Sequence, residues 1–316
     1  MAAAPSAMAA APSAMAAPPS PLPAYVALAS SRSQLRTGYT HRFARESEAD
    51  RSAAAAFRAR CRSGEFAGQT SGSAPGFIQA NFVALPRAHA FDFLKFCLAN
   101  PRACPLLDVT EPGDPVPRCA APSADLRTDI PRYRVWRDGT LAEERAEVGA
   151  LWDADGGMVG FLLGCSFSWE QVLVDAGLPP RQIEEGSNVP MYVTTLPSAT
   201  AGPFGGQLVV SMRPYRPEQI AEVARLTGGY PGAHGAPIHW GDPAALGLTT
   251  EGLATPSFGD AVTIRPGELP VFWACGVTPQ SALVAAKLPL AITHAPGFMF
   301  ITDLLARELR EDEAAR

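Results

Sequence analysis

Lysine is nearly missing from this 316-residue chain: Lys95 and Lys287 stand alone, and the rest of the basic side is arginine. That bias carries no functional weight by itself. With a formal net charge of −5 and 18% charged residues, the chain has no broad positive field for nucleic acid or anionic lipid. Long apolar runs are also absent. Met158 to Cys165 and Ala282 to Ile292, the latter broken by Lys287, fall short of the roughly 18 residues a membrane span needs. The six cysteines, at 61, 97, 104, 119, 165 and 275, form no CxxC pair and no zinc-ligand spacing, so free thiols in a reducing cytoplasm are expected. Neither a P-loop lysine nor a GxGxxG turn occurs, which disfavours nucleotide binding, and no cofactor or resident metal is expected. These absences leave a cytoplasmic protein with a small-molecule partner, no nucleic acid and no membrane. No heptad pattern marks a surface for self-association, so a homo-oligomer would have to use another one.

What is present is a globular composition, 47% apolar, enough for one large or two modest domains. Residues 1–31 carry no charge and repeat MAAAPSA, MAAAPSA, MAAPPSP, and are read as a disordered low-complexity extension. Arg45 to Cys61 and Arg87 to Ala99 have helical spacing, and Phe77 to Leu85 reads as a buried strand. Met158 to Leu163 is an apolar strand ending in Gly164, Cys165 and Ser166, with helical spacing resuming from Trp169 to Ala176. The same grammar recurs at Pro270 to Ala274, followed by Cys275, Gly276 and a helix opening at Thr278. With Leu290 to His294, these units predict a mainly parallel sheet covered by helices. Val189 to Leu196, Gln207 to Met212 and a helix from Pro217 to Thr227 read as a smaller inserted α+β unit.

In an open parallel sheet, ligands gather outside the carboxyl ends of the strands. Cys165 and Cys275 both fall there, where a following helix would lower a thiol's pKa, although a lone cysteine is often only a small buried apolar residue. His234 and His239, in HGAPIHWGD, lie in a loop with Asp242 beyond. Acid–base work or substrate hydrogen bonding fits them better than metal binding, since the spacing matches no standard ligand motif. His294, in ITHAPG, is a third imidazole at a strand end. Asp125, Arg127 and Asp129 are expected to alternate along an extended segment before Pro131, making Arg127 either a carboxylate fork or part of a solvated edge. Arg213, closing LVVSMRP, is a second fork. Gln79 and Asn81 interrupt an apolar strand, which is costly unless both amides are bonded, so they line a polar site or brace a loop. The loop GQTSGSAPG, Gly68 to Gly76, is rich enough in glycine and hydroxyls to wrap an anion.

Eight blocks, in order, resemble the D-glutamate cyclase family, long catalogued in bacteria as hydro-lyases: GQTSGSAPGFIQANFVALP, DLRTDIPRYRVWRDG, FLLGCSFSWE, NVPMYVTTL, VVSMRP, HGAPIHWGDP, VFWACGVTPQ and ITHAPGFMFITD. The resemblance runs from about Arg32 to Asp303. Phe77, Phe82 and Trp169 depart mildly from its pattern, and none removes a polar group. It implies closure of D-glutamate to 5-oxo-D-proline with loss of water. For the fold it implies an α/β sandwich domain plus a smaller two-layer α+β domain. The expected architecture is therefore a three-layer α/β/α sandwich over 32–178 and 241–316, with its mainly parallel sheet, and the smaller unit over 179–240.

Such a reaction needs a base, an acid and an anion clamp. From the residues, Arg127 or Arg213 would hold the α-carboxylate, backbone amides after Cys165 and Cys275 the developing oxyanion, and His234 or His239 the moving proton. Gln79, Asn81, Ser166, Thr278 and His294 are further candidate substrate contacts. A thioester formed from an unactivated carboxylate is uphill without ATP, so a proton-carrying thiol is the better expectation than an acyl-enzyme. Two alternatives stay open: a cofactor-independent amino-acid racemase using both cysteines, and a binding protein for small carboxylates.

Overall fold

The computed structural model describes residues 48–153 and 156–310; the N-terminal repeat lies outside the described residues. An Ala-rich helix, α1 (Glu48–Arg62), opens the described chain. It buries Ala54, Phe57 and Cys61, spaced to share one face of a helix. From the same element Arg58, only 1% exposed, reaches the Asp303 carboxylate at 2.7 Å.

The first sheet is built around β1 (Phe77–Pro86) and β5 (Met158–Gly164), whose residues are buried almost throughout. Alternation explains the burial. On β1, Ile78, Ala80, Phe82 and Ala84 enter one core, while Val83 and Leu85 enter another; on β5, Met158 and Leu162 join the first and Val159, Phe161 and Leu163 the second. The second core is closed by Phe93, Phe96 and Cys97 of α2 (Arg87–Ala99). β2 (Leu106–Val109) flanks β5, and β3 (Tyr133–Arg137) and β4 (Thr140–Arg145) form a hairpin at the other side. That hairpin turns on Asp138 and Gly139, both at positive φ, the backbone that a two-residue turn between right-twisted strands requires.

β5 is followed by a 3-10 turn over Ser166–Trp169, then α3 (Glu170–Asp175) and α4 (Arg181–Glu185). The second sheet contains β6 (Met191–Pro197), β7 (Gln207–Tyr215), β8 (His239–Trp240) and β9 (Leu269–Ala274), in the order β6-β7-β9-β8. α5 (Pro217–Gly228) follows β7, and α6 (Thr278–Ala286) follows β9 and packs on β7. The chain then returns to the first sheet through β10 (Ala291–His294) and β11 (Phe300–Leu305), which share the free side of β1.

The mixed α/β class stands, but the mainly parallel three-layer sheet does not: every strand pair in both sheets is antiparallel. The expectation rested on unbroken apolar runs. Such runs report burial of both faces, which helices and a second sheet supply here, and say nothing of strand direction. β9 also belongs to the second sheet, pairing with β7 from Val210–Ala274 to Tyr215–Leu269. The Asp125–Asp129 segment is a turn rather than an extended edge, because the Asp125 carbonyl accepts from the amides of both Thr128 and Asp129.

Candidate active site

The two cysteine turns leave different sheets and meet. Cys165 follows β5 of the first sheet and Cys275 follows β9 of the second, and both pack in one cluster with Phe167, Val189, Met191, Val209, Val277 and Met299. Asn81 of β1 joins the turns. Its Nδ2 donates to the Gly164 carbonyl at 2.9 Å, immediately before Cys165, while the same carboxamide lies against Gly276, immediately after Cys275. A Cβ on Gly276 would collide with it, so only glycine lets the second turn come this close. Gly164 is equally constrained, because a Cβ there would strike the Gly232 carbonyl. That contact docks the 231–234 turn on the first cysteine turn.

Arg213 of β7, fully buried, lies beside this junction. Its Nη2 donates to Ser166 Oγ and to Glu170 Oε1, each at 3.0 Å, and Nη1 to Ser211 Oγ at 3.2 Å. The guanidinium lies against both Trp169 and Trp273, 4.6 and 5.4 Å from their ring centroids, and these cation–π contacts offset part of its desolvation. Nε has no partner. Glu170 receives Gln182 Nε2 at 2.6 Å and Ser71 Oγ at 2.7 Å. The hydroxyl-rich loop therefore does meet an anion, and that anion is the protein's own carboxylate.

Beyond the cluster opens a cavity of about 280 Å³ lined by Arg132, Arg134, Glu144, Phe258 and Phe298 among others. Phe258 lines it and also packs against the cluster of both cysteines.

Residues 159–303, from β5 to β11, match the family model described as D-glutamate cyclase. A "Putative hydro-lyase" of Rubrobacter xylanophilus is 57% identical over 250 residues, 79% of this chain and 95% of its own length. A protein of the same name from Pseudomonas syringae pv. syringae is 56% identical, covering 80% and 95%. The chain belongs to the D-glutamate cyclase family.

In this family member both thiols are held protonated, opposite to the lowering expected at a strand end. Burial dominates: it pushes Cys165 far up and Cys275 up to about 11. Two opposing effects are shared. Each sulfur is favoured toward thiolate by the backbone N–H two residues on, from Phe167 and Val277, and by the Arg213 charge. The turn after Cys165 is a 3-10 turn and a six-residue helix, too short for the macrodipole to outweigh desolvation.

His234, also buried, is pulled down to about 4 by its burial, with the charges of Arg102 and Arg213 acting in the same direction. Its Nδ1 meets the Arg102 carbonyl at 2.7 Å. A carbonyl only accepts, so Nδ1 carries the proton and Nε2 the lone pair. His294 is likewise lowered to about 4 by burial. Its Nδ1 lies 3.1 Å from Phe82 N and its Nε2 has no partner.

The remaining candidates are placed differently. Arg127 closes its fork on Asp125, at 2.9 and 2.7 Å, and Asp129 is claimed by Arg62. His239, on edge strand β8, sets Nε2 against the Asp242 carbonyl at 2.7 Å and stacks its ring on Phe272. The Asp242 carboxylate caps Ala244, so His234, His239 and Asp242 do not converge as ligands. Among the described residues no group of three or more His, Cys, Asp or Glu side chains could hold a metal ion, and no helix is long and apolar enough to cross a membrane. Thr278 braces its own turn, donating to the Cys275 carbonyl at 2.7 Å. Gln79 braces the Gly-rich loop through the Thr70 carbonyl, leaving Oε1 without a partner.

Sequence reasoning missed Arg132, Arg134 and Phe258. A signal for the first two was present: alternation through YRVWRDGTLAEER around an Asp-Gly pair marks a hairpin, whose strand β3 carries Arg134 with Arg132 just before it.

Proposed function

We propose that this chain is a hydro-lyase that cyclises D-glutamate to 5-oxo-D-proline, with the paired cysteine turns as its reaction centre. The observation that carries this reading is the Asn81 carboxamide, bonded to one cysteine turn and packed against the other, beside a buried guanidinium whose charge acts on both thiols. In the reaction the α-ammonium gives up two protons, the amine nitrogen bonds to the γ-carboxyl carbon, and one γ-oxygen leaves with those protons as water. Neutral His234 offers an Nε2 lone pair to take a proton. A thiol kept protonated by burial can deliver one to the departing oxygen. Arg213 and the Phe167 and Val277 amides favour negative charge as it develops.

The test is incubation of the purified chain with each enantiomer of glutamate and of 5-oxoproline, resolved by chiral chromatography with and without chelator. D-glutamate is expected to yield the D-lactam. Interconversion of enantiomers without lactam would replace this reading with the racemase, for which two thiols in one cluster are also suited. Binding without turnover would replace it with the carboxylate-binding protein.

A further inference from the structure

The cavity beside the cysteine cluster carries a charge that the packing of the fold does not require. Its wall at β3 holds two guanidinium groups, Arg132 and Arg134, against a single carboxylate, Glu144, at 3.7 and 2.9 Å. Arg134 is largely covered, with 19% of its side chain exposed, whereas Arg132 is 45% exposed. Both are held in place. Arg132 stacks on Phe298 at 5.0 Å, and Arg134 Nη1 lies 3.5 Å from Gln280 Oε1.

Gln280 joins this wall to the helix that follows Cys275. It lies in α6, five residues after Cys275, and its Nε2 donates to the His294 carbonyl at 3.0 Å. A second connection is Phe258, which bridges to Met191 by two backbone hydrogen bonds and packs on the cluster of Cys165 and Cys275. A volume of about 280 Å³ lies at the small end of ligand pockets. It suits an amino-acid-sized anion better than a nucleotide.

We propose that this cavity is the substrate's carboxylate subsite, in which Arg134, supported by Arg132, receives the α-carboxylate of an acidic amino acid whose other end points toward the cysteine turns. The inference rests on the cyclase reading for the identity of the substrate, and assigns its anion clamp to β3 rather than to Arg127 or Arg213.

Glutarate, a dicarboxylate that lacks the amine and cannot cyclise, is the probe, titrated calorimetrically into the full chain. Loss of a charge-assisted pair predicts binding about tenfold to a hundredfold weaker in Arg134→Gln. A smaller loss is expected in Arg132→Gln, partial recovery in Arg134→Lys, and no change in Arg118→Gln, an exposed arginine paired with Asp114. Circular dichroism melts confirm that each variant folds. Undiminished glutarate binding in folded Arg134→Gln and Arg132→Gln, or none in the wild type, overturns the inference. Turnover of D-glutamate with kcat/KM unchanged in Arg134→Gln also overturns it while leaving the cyclase reading intact. Arginine-dependent glutarate binding in a chain that converts no glutamate sinks the cyclase reading and leaves the subsite.

Discussion

The turns at Cys165 and Cys275 share one grammar, an apolar strand ending in cysteine beside glycine, and occupy one cluster, yet their surroundings differ. Cys165 is followed by a 3-10 turn and lies near the Glu170 carboxylate, whose charge adds to the rise in its pKa. Cys275 is followed by a nine-residue helix, and Glu170 is absent from the influences on it. Burial is the largest influence on both, and the charges of Cys275 and then Glu170 add to the rise at Cys165, which ends above Cys275. In a matched pair, the sulfur nearer the carboxylate is the better keeper of its proton and the other is the easier to ionise, which gives two similar groups different duties.

The largest effect that would break this comparison is on turnover. Replacing both cysteines with alanine is expected to lower D-glutamate cyclisation about a hundredfold to ten-thousandfold, with Cys275→Ala giving most of the loss. Equal losses from the two single variants would show that the asymmetry has no catalytic meaning. Next in size, Arg213→Met removes the charge acting on both thiols and leaves Glu170 buried without its ion-pair partner. It should cost about 3–5 kcal/mol in urea unfolding; an unchanged midpoint would mean that the Arg213–Glu170 pair carries no net stability.

His234, whose turn docks beside Cys165, probes one side only. Its pKa is depressed to about 4 by burial, so the unfolded chain takes up a proton near pH 6.5 while the fold refuses it. Stability is complete above that value, falls as pH drops toward 4, and levels below, a loss on the order of 3 kcal/mol for the histidine. His234→Gln should make that limb of a pH–stability curve shallower by its own share, with His294, lowered to about 4 as well, keeping the remainder, and an unaltered slope would show that the His234 imidazole is not buried neutral. The smallest effect is a rate order. With iodoacetamide at alkaline pH and peptide mapping by mass spectrometry, exposed Cys119 should label first, then Cys275, then Cys165; the reverse order of the last two would invert the comparison.

Much of the fold was readable because burial leaves a mark on sequence. Helices α1, α2 and α5 and strands β1, β5, β7 and β9 lie within a few residues of where periodicity and apolar runs put them. Strand direction was not readable, since β1 and β5 face a core on each side whichever way their neighbours run. At the site, the turns at Cys165 and Cys275 were visible as strand ends. That they belong to different sheets and meet at Asn81 depends on pairings between residues far apart along the chain, such as Ala80 with Gly164 and Val210 with Ala274. The local pairing of Arg127 was not readable in advance, because whether the fork closes on Asp125, two residues away, depends on the turn the segment makes. Arg134 escaped notice because a hairpin arginine looks like any solvated edge until a second wall, here Phe258 and Phe298, closes over it.

The indole pair against Arg213 gives the molecule an optical handle. Trp169 and Trp273, two of its five indoles, have ring centroids 5.6 Å apart with the guanidinium against both. Ligand capture that shifts that cation or its carboxylate partner must alter the field at both rings, so intrinsic fluorescence becomes a label-free gauge of events beside the thiols.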